Sequence, residues 1–116
     1  MEYIIKMHTV VETPEYLSHA RRLFAEEEMA EIINTVAQDP ECGDVMEGTG
    51  GFRKFRVGRG NQGKRGGARV VYIYLNDHFP IFLITVFAKN QKANLSKSER
   101  NQLKQRADAI FTNYRR

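Results

Sequence analysis

The residues best suited to chemistry are concentrated in one stretch, Gly51 to Tyr72, which reads GFRKFRVGRGNQGKRGGARVVY. Its twenty-two positions hold seven Lys or Arg residues and six glycines, and no acidic residue occurs from Gly48 through Asn76. Cations at this density attract phosphate groups, and glycines let the backbone approach such a ligand closely. The stretch therefore predicts a site for a polyanion, with nucleic acid as the leading ligand class.

Alternation along a strand divides these cations into faces. Because successive side chains point to opposite sides, Lys54 and Arg56 share one face while Phe55 and Val57 share the other. Arg69 lies on the next strand and joins the cationic face if the hairpin register places it there. The alternative is that these cations are ordinary surface residues, paired with acidic helices elsewhere in the chain.

Further cations flank these strands. Arg59, Lys64 and Arg65 lie in the loop GRGNQGKRGG, which we interpret as an arm that tracks a phosphate backbone. The alternative is a solvated loop tip that becomes ordered only on binding. Lys89 follows the apolar run IFLITVFA, where the chain leaves the sheet, and is placed to reach the same surface.

The loop superficially resembles a phosphate-binding loop of nucleotide hydrolases. Gly58 and Gly63 have the required spacing and Lys64 follows, but Arg65 stands where Ser or Thr binds magnesium. A strand rather than a helix is predicted next. We therefore reject nucleotide hydrolysis.

Metal and triad chemistry find little support. Cys42 is the single cysteine, and no His or Cys lies near it at metal-ligand spacing. His8, His19 and His78 are dispersed over a predicted strand, a helix and a turn and do not suggest a catalytic triad, so we expect core or surface histidines. We expect no metal, no cofactor and a reduced thiol. The N-terminus lacks a basic leader and a long apolar run, so we expect a cytoplasmic protein without a membrane segment.

Charge is separated along the chain. Residues 1–50 carry three basic and eleven acidic side chains, whereas residues 51–116 carry fifteen basic and three acidic ones. This asymmetry predicts one face that attracts phosphates and another that repels them. A dipolar surface that merely aids solubility is the alternative.

The predicted elements form one domain, residues 1–116, of class α+β. A small, largely antiparallel four-stranded sheet carries two N-terminal helices and one C-terminal helix, in the order β-α-α-β-β-β-α. Thr13-Pro14 predicts a helix start, Asp39-Pro40 a helix end, and Ser96-x-x-Glu99 a capping box. The predicted strands are Tyr3–Val10, Phe52–Val57, Ala68–Leu75 and Ile81–Ala88, the last expected to be central and covered on both faces.

The run GDVMEGTGGFRKFRVGRGNQGKRGGARVVYIYL, with LITVFAKNQKANLS and a basic final helix, resembles the RelE/HigB-like toxins of bacterial type II toxin-antitoxin systems. The resemblance covers nearly the whole chain, and the sequence from Gly43 to Leu75 is most similar to the HigB-type branch. It implies a compact sheet with two N-terminal helices and a ribosome-dependent, metal-independent endoribonuclease that cleaves mRNA. It also implies an antitoxin partner of helix-turn-helix type.

The resemblance also implies site residues. In such toxins the 2′-hydroxyl of the RNA attacks the adjacent phosphate, so the protein supplies charge stabilisation and proton transfer. Lys54 and Arg56 match the basic residues on the strand that faces RNA, Arg69 the arginine that clamps the scissile phosphate, and Lys89 a basic residue after the last strand. The RNA-binding residues that we predict around these positions are Arg53, Arg59, Lys64, Arg65 and Asn90.

Two departures from the RelE pattern leave the general acid and base open. Asn90 stands where RelE has an arginine, and Gln91 to Leu95 lacks the tyrosine that RelE places near the leaving group. Neutral Lys54 or a ribosomal RNA group is our hypothesis for the proton acceptor. Two rival functions stay open at this point: a ParE-like toxin that inhibits DNA gyrase, and a nucleic-acid-binding module without activity.

Overall fold

A computed structural model of the 116-residue chain describes residues 7–58, 67–88 and 96–114. Eight elements occur in these ranges: β1 (Val10–Glu12), α1 (Pro14–Leu23), α2 (Glu26–Gln38), β2 (Asp44–Val45), β3 (Phe52–Val57), β4 (Ala68–Ile73), β5 (Ile81–Ala88) and α3 (Lys97–Tyr114). No helix in the described ranges has the length and apolar character needed to cross a membrane.

The sheet has five strands rather than the predicted four, in the order β1-β5-β4-β3-β2. β1 runs parallel to β5, and the other pairs are antiparallel, as the largely antiparallel prediction required. The additional strand is β2, two residues long, which pairs with Arg53 and Lys54 of β3. The sequence PECGDVMEGTGG around it is rich in turn residues, so it predicted only a connection. Of the predicted first strand, Tyr3–Val10, residues 3–6 lie outside the described ranges and residues 7–9 are not in a strand, so the observed strand begins at Val10 and ends at Glu12.

Local capping fixes the predicted helix starts. The Thr13 hydroxyl accepts a hydrogen bond from the Tyr16 amide at 3.3 Å, and Pro14 occupies the first turn of α1. At the start of α3 the Ser96 hydroxyl accepts the Glu99 amide at 3.1 Å. The Glu99 carboxylate accepts the Ser96 amide in return at 2.9 Å, which completes the predicted capping box.

The sheet separates two apolar cores. Residues of α1 and α2, among them Tyr16 and Ile32, pack on one face, and Ala107 and Phe111 of α3 pack on the other. β5 contributes to both cores and is paired on both edges, as its continuous apolar run predicted, although β4 is the middle strand. α3 lies over the part of the sheet where Phe52 pairs with Ile73.

A buried tyrosine stabilises the connection between α2 and β2 through two hydrogen bonds. The Tyr72 hydroxyl donates to the Pro40 carbonyl at 2.7 Å and accepts the Gly43 amide at 2.9 Å, and Tyr72 is fully buried. A Cβ at Gly43 would lie 2.9 Å from both the Lys54 carbonyl oxygen and the Tyr72 ring, so only glycine fits there. Tyr72 is therefore a structural sheet residue, as its strand context predicted.

Candidate functional site

β3 presents cations on one face and apolar side chains on the other. Phe55 and Val57 pack against the core under α1 and α2, whereas Phe52 belongs to the core under α3. By alternation, Lys54 and Arg56 lie on the face that they share with Phe52. The packing of Phe55 and Val57 confirms that these two side chains share the core face, as the alternation predicted.

The hairpin register brings Arg69 onto the same face. Arg69 of β4 pairs directly with Arg56, and Lys54 pairs with Val71. Direct antiparallel partners have Cα atoms about 4.5–5.5 Å apart, and Lys54 lies about 6.5 Å along the strand from Arg56. We refer to Lys54, Arg56 and Arg69 as the cationic face. It lies on the side of the sheet on which α3 packs.

No carboxylate in the described ranges forms an ion pair with the cationic face. The ion pairs found there join His8 to Asp77, Arg53 to Glu41 and Arg106 to Glu15. Two like charges about 6 Å apart repel by about 0.7 kcal/mol in bulk water and about 3 kcal/mol at an effective dielectric constant of 20. A bound anion would relieve this repulsion, which is the electrostatic signature of a phosphate site.

Removing one charge should therefore stabilise the free protein. We expect Arg56→Gln to raise the free energy of unfolding by about 0.5 kcal/mol at low salt, since exposed charges are partly screened. The gain should shrink as salt is added. Denaturant unfolding at two ionic strengths measures it, with Arg21→Gln on α1 as the control. A destabilised Arg56→Gln variant would instead reveal a favourable partner for this guanidinium.

Arg53 lies apart from the cationic face. Arg53 is two residues from Phe55, so the two side chains point to the same face of β3. The Arg53 guanidinium donates to the carbonyls of Gly43 at 2.8 Å and Glu41 at 3.3 Å. The Glu41 carboxylate lies 3.6 Å from it. These contacts hold the connection that leads into β2. The structure thus does not bring Arg53 together with Lys54, Arg56 and Arg69.

The remaining predicted site residues lie outside the described ranges. They are Arg59, Lys64, Arg65, Lys89 and Asn90. The described strands that lead to them end together, because Val57 pairs with Ala68 and Ala68 pairs with Ala88. The described ends of β3, β4 and β5 next to these residues therefore lie together, at the end of the sheet where Arg56 pairs with Arg69.

The three histidines of the chain are not part of the cationic face. His8 bonds to Asp77 through Nε2 at 2.8 Å, beside the end of the sheet where Val10 pairs with Ile81. His19 lies on α1, and His78 lies in the turn before β5. The histidines are thus structural or exposed residues, as their dispersal predicted.

The described ranges do not contain a metal-ligand geometry. No group of three or more His, Cys, Asp or Glu side chains there is arranged to hold a metal ion. Cys42 is half-buried with its Sγ 3.7 Å from the Tyr72 hydroxyl, and burial raises the pKa of this thiol. A raised pKa disfavours the reactive thiolate.

Comparison with known protein families adds one finding. A family model described as the RelE toxin of the RelE / RelB toxin-antitoxin system matches residues 11–115. The match extends over nearly the whole chain and includes β3, β4 and the cationic face.

Proposed function

Because the chain belongs to the RelE toxin family, and is therefore a toxin with an antitoxin partner, we propose that it is a HigB-type endoribonuclease that cleaves mRNA on the ribosome. One observation carries the proposal: Arg56 and Arg69 are direct cross-strand partners with Lys54 beside them, and no described carboxylate is ion-paired with any of them. The spacing suits the oxygens of a single phosphodiester.

The chemistry that such a face can support is an internal transfer. The 2′-oxygen attacks the neighbouring phosphorus as its proton passes to a base, and the bond from phosphorus to the 5′-oxygen breaks as that oxygen gains a proton. The products are a 2′,3′-cyclic phosphate and a 5′-hydroxyl. Negative charge grows on the non-bridging oxygens, where preorganised cations are most effective.

Each member of the cationic face has a distinct role in this proposal. The Arg69 guanidinium donates two parallel hydrogen bonds to the non-bridging oxygens, a geometry that lysine cannot reproduce. Arg56 adds positive charge from the partner strand. Lys54 lies beside it and is our proposed proton acceptor, a role that requires the neutral amine.

The residues around this face have supporting roles. Lys89 and Asn90 follow β5 and extend the site at its edge, and Arg59, Lys64 and Arg65 follow the adjacent RNA backbone. Arg53 would contribute by holding the connection into β2, since its guanidinium is already bonded to Glu41 and Gly43.

The test is an in vitro translation reaction with purified toxin, followed by mapping of mRNA 5′ ends. We expect cuts at defined codon positions when ribosomes are present and intact mRNA when they are omitted. Intact mRNA together with inhibited DNA supercoiling would replace the proposal with gyrase inhibition. Salt-dependent RNA binding without any product would indicate a binding module. We expect the toxin to act in the cytoplasm, and its neighbouring reading frame to encode a helix-turn-helix antitoxin.

A further inference from the structure

A cleft of about 330 Å³ separates α2 from the outer edge of β3. Ile32, Phe55 and Val57 give it an apolar floor, and Ile32 is only 3% exposed. Glu28, Glu31 and Thr35 of α2 and Arg56 of β3 line its polar rim. The cleft was not visible in the sequence, because it arises where α2 and β3, distant in the chain, pack against the same core.

The cleft runs beside an open strand edge. β2 covers β3 only at Arg53 and Lys54. The Met46 amide donates to the Phe52 carbonyl, so Phe52, Lys54 and Arg56 direct their backbone groups toward that outer edge. In the part of the chain that the structure describes, no hydrogen bond reaches the outward N–H and C=O of Arg56. An open edge of this kind is a template for an added strand.

We propose that this cleft and edge bind an extended segment of the antitoxin, in which an apolar residue is flanked by Lys or Arg. The proposal rests on membership of the toxin family, which implies the antitoxin, and not on RNA cleavage. The segment pairs with the Arg56 backbone as an additional strand and inserts its apolar side chain onto Ile32, Phe55 and Val57.

Charge and size select this occupant. The rim carries two carboxylates of α2, Glu28 and Glu31, against one cation, Arg56, so its α2 side attracts cations and repels the phosphates of RNA. Glu28 already accepts the Ala25 amide at 2.8 Å, which leaves Glu31 as the rim carboxylate on which the argument depends. The volume lies near the lower end of the ~300–1,000 Å³ typical of ligand pockets and suits one or two side chains, whereas a helix is about 10–12 Å wide.

The position explains how such binding would silence the toxin. A strand paired with the Arg56 backbone lies directly beside the cationic face, because Arg56 is also the cross-strand partner of Arg69. Added backbone and side chains there exclude an RNA strand from the same edge. Inhibition then requires no contact with Arg69.

A charge reversal on the rim tests the proposal. We expect Glu31→Lys to weaken binding of the antitoxin encoded by the neighbouring reading frame by about 10-fold. Glu26→Lys is the matched control, since Glu26 is an exposed glutamate of the same helix that does not line the cleft. It should change the affinity by less than about 2-fold. Binding is measured by calorimetry without ribosomes, so the result is independent of nuclease activity. Equal effects of the two variants would overturn the proposal.

Amide hydrogen exchange at Arg56 tests the strand pairing separately. In the purified complex we expect this amide to exchange at least about 10-fold more slowly than in the free toxin. Unchanged exchange would overturn the proposal. So would protection that grows with toxin concentration alone, which indicates a second copy, or protection that appears with RNA and not with antitoxin.

Discussion

Arg69→Ala should slow cleavage of ribosome-bound mRNA by about 100- to 1,000-fold. Arg69 is the cross-strand partner of Arg56, and our proposal assigns it the charge that develops on the scissile phosphate. Loss of one preorganised donor at such a position typically costs about 2.7–4 kcal/mol of transition-state stabilisation. Single-turnover cleavage on programmed ribosomes measures the effect directly.

Two variants make this result interpretable. Arg69→Lys keeps the charge but loses the paired donors, so we expect it to recover only part of the rate. Arg21→Ala removes an exposed arginine of α1, whose helix packs on the opposite face of the sheet, and should cleave at the wild-type rate. If Arg69→Ala cleaves normally while remaining folded, the assignment of the phosphate clamp is wrong.

Tyr72→Phe should lower the free energy of unfolding by about 2–4 kcal/mol. The substitution removes the hydroxyl that accepts the Gly43 amide and donates to the Pro40 carbonyl, and it leaves both buried backbone groups without that partner. Denaturant unfolding measures the loss. Tyr74→Phe is the matched control, because its hydroxyl bonds to Asp77 at an exposed position, and it should cost less than about 1 kcal/mol. A small loss for Tyr72→Phe would mean that water replaces the hydroxyl.

Tyr72→Phe should also change how the stability of the protein depends on pH in alkaline solution. Burial raises the pKa of both Tyr16 and Tyr72, so each remains protonated in the folded protein at a pH where it ionises in the unfolded chain. The stabilisation that these two protonated tyrosines give the folded protein is fully present below pH about 10. Above that pH the free energy of unfolding falls by about 1.4 kcal/mol per pH unit for each tyrosine. Tyr72→Phe should remove about half of that slope. An unchanged slope would contradict the role of Tyr72.

The cationic face could be anticipated from the sequence only in part. Alternation along FRKFRV placed Lys54 and Arg56 opposite Phe55 and Val57, because a buried face constrains every second residue. The partner of Arg56 could not be derived in the same way. Register depends on how many residues the basic loop spans as a turn, and the sequence does not define this, so the pairing with Arg69 came from the structure.

Two features escaped sequence reasoning for different reasons. The predicted RNA-binding set includes Arg53, although Arg53 is two residues from Phe55 and alternation therefore places its side chain on the other side of β3 from Lys54 and Arg56. The sequence does not predict β2, because its two residues, Asp44 and Val45, follow a glycine and carry almost no strand signal. Its pairing depends instead on long-range contacts, such as the hydrogen bonds that Tyr72 makes to Pro40 and Gly43.

The most direct test of the proposed chemistry uses two mRNAs that differ in one atom at the scissile nucleotide, which carries either a 2′-hydroxyl or a 2′-hydrogen. Each is placed on programmed ribosomes with wild-type toxin, and the products are mapped. We predict that the ribonucleotide is cut to leave a 5′-hydroxyl and that the 2′-deoxy substrate stays intact. Cleavage of both substrates would contradict the account, because the cationic face would then be serving an external nucleophile.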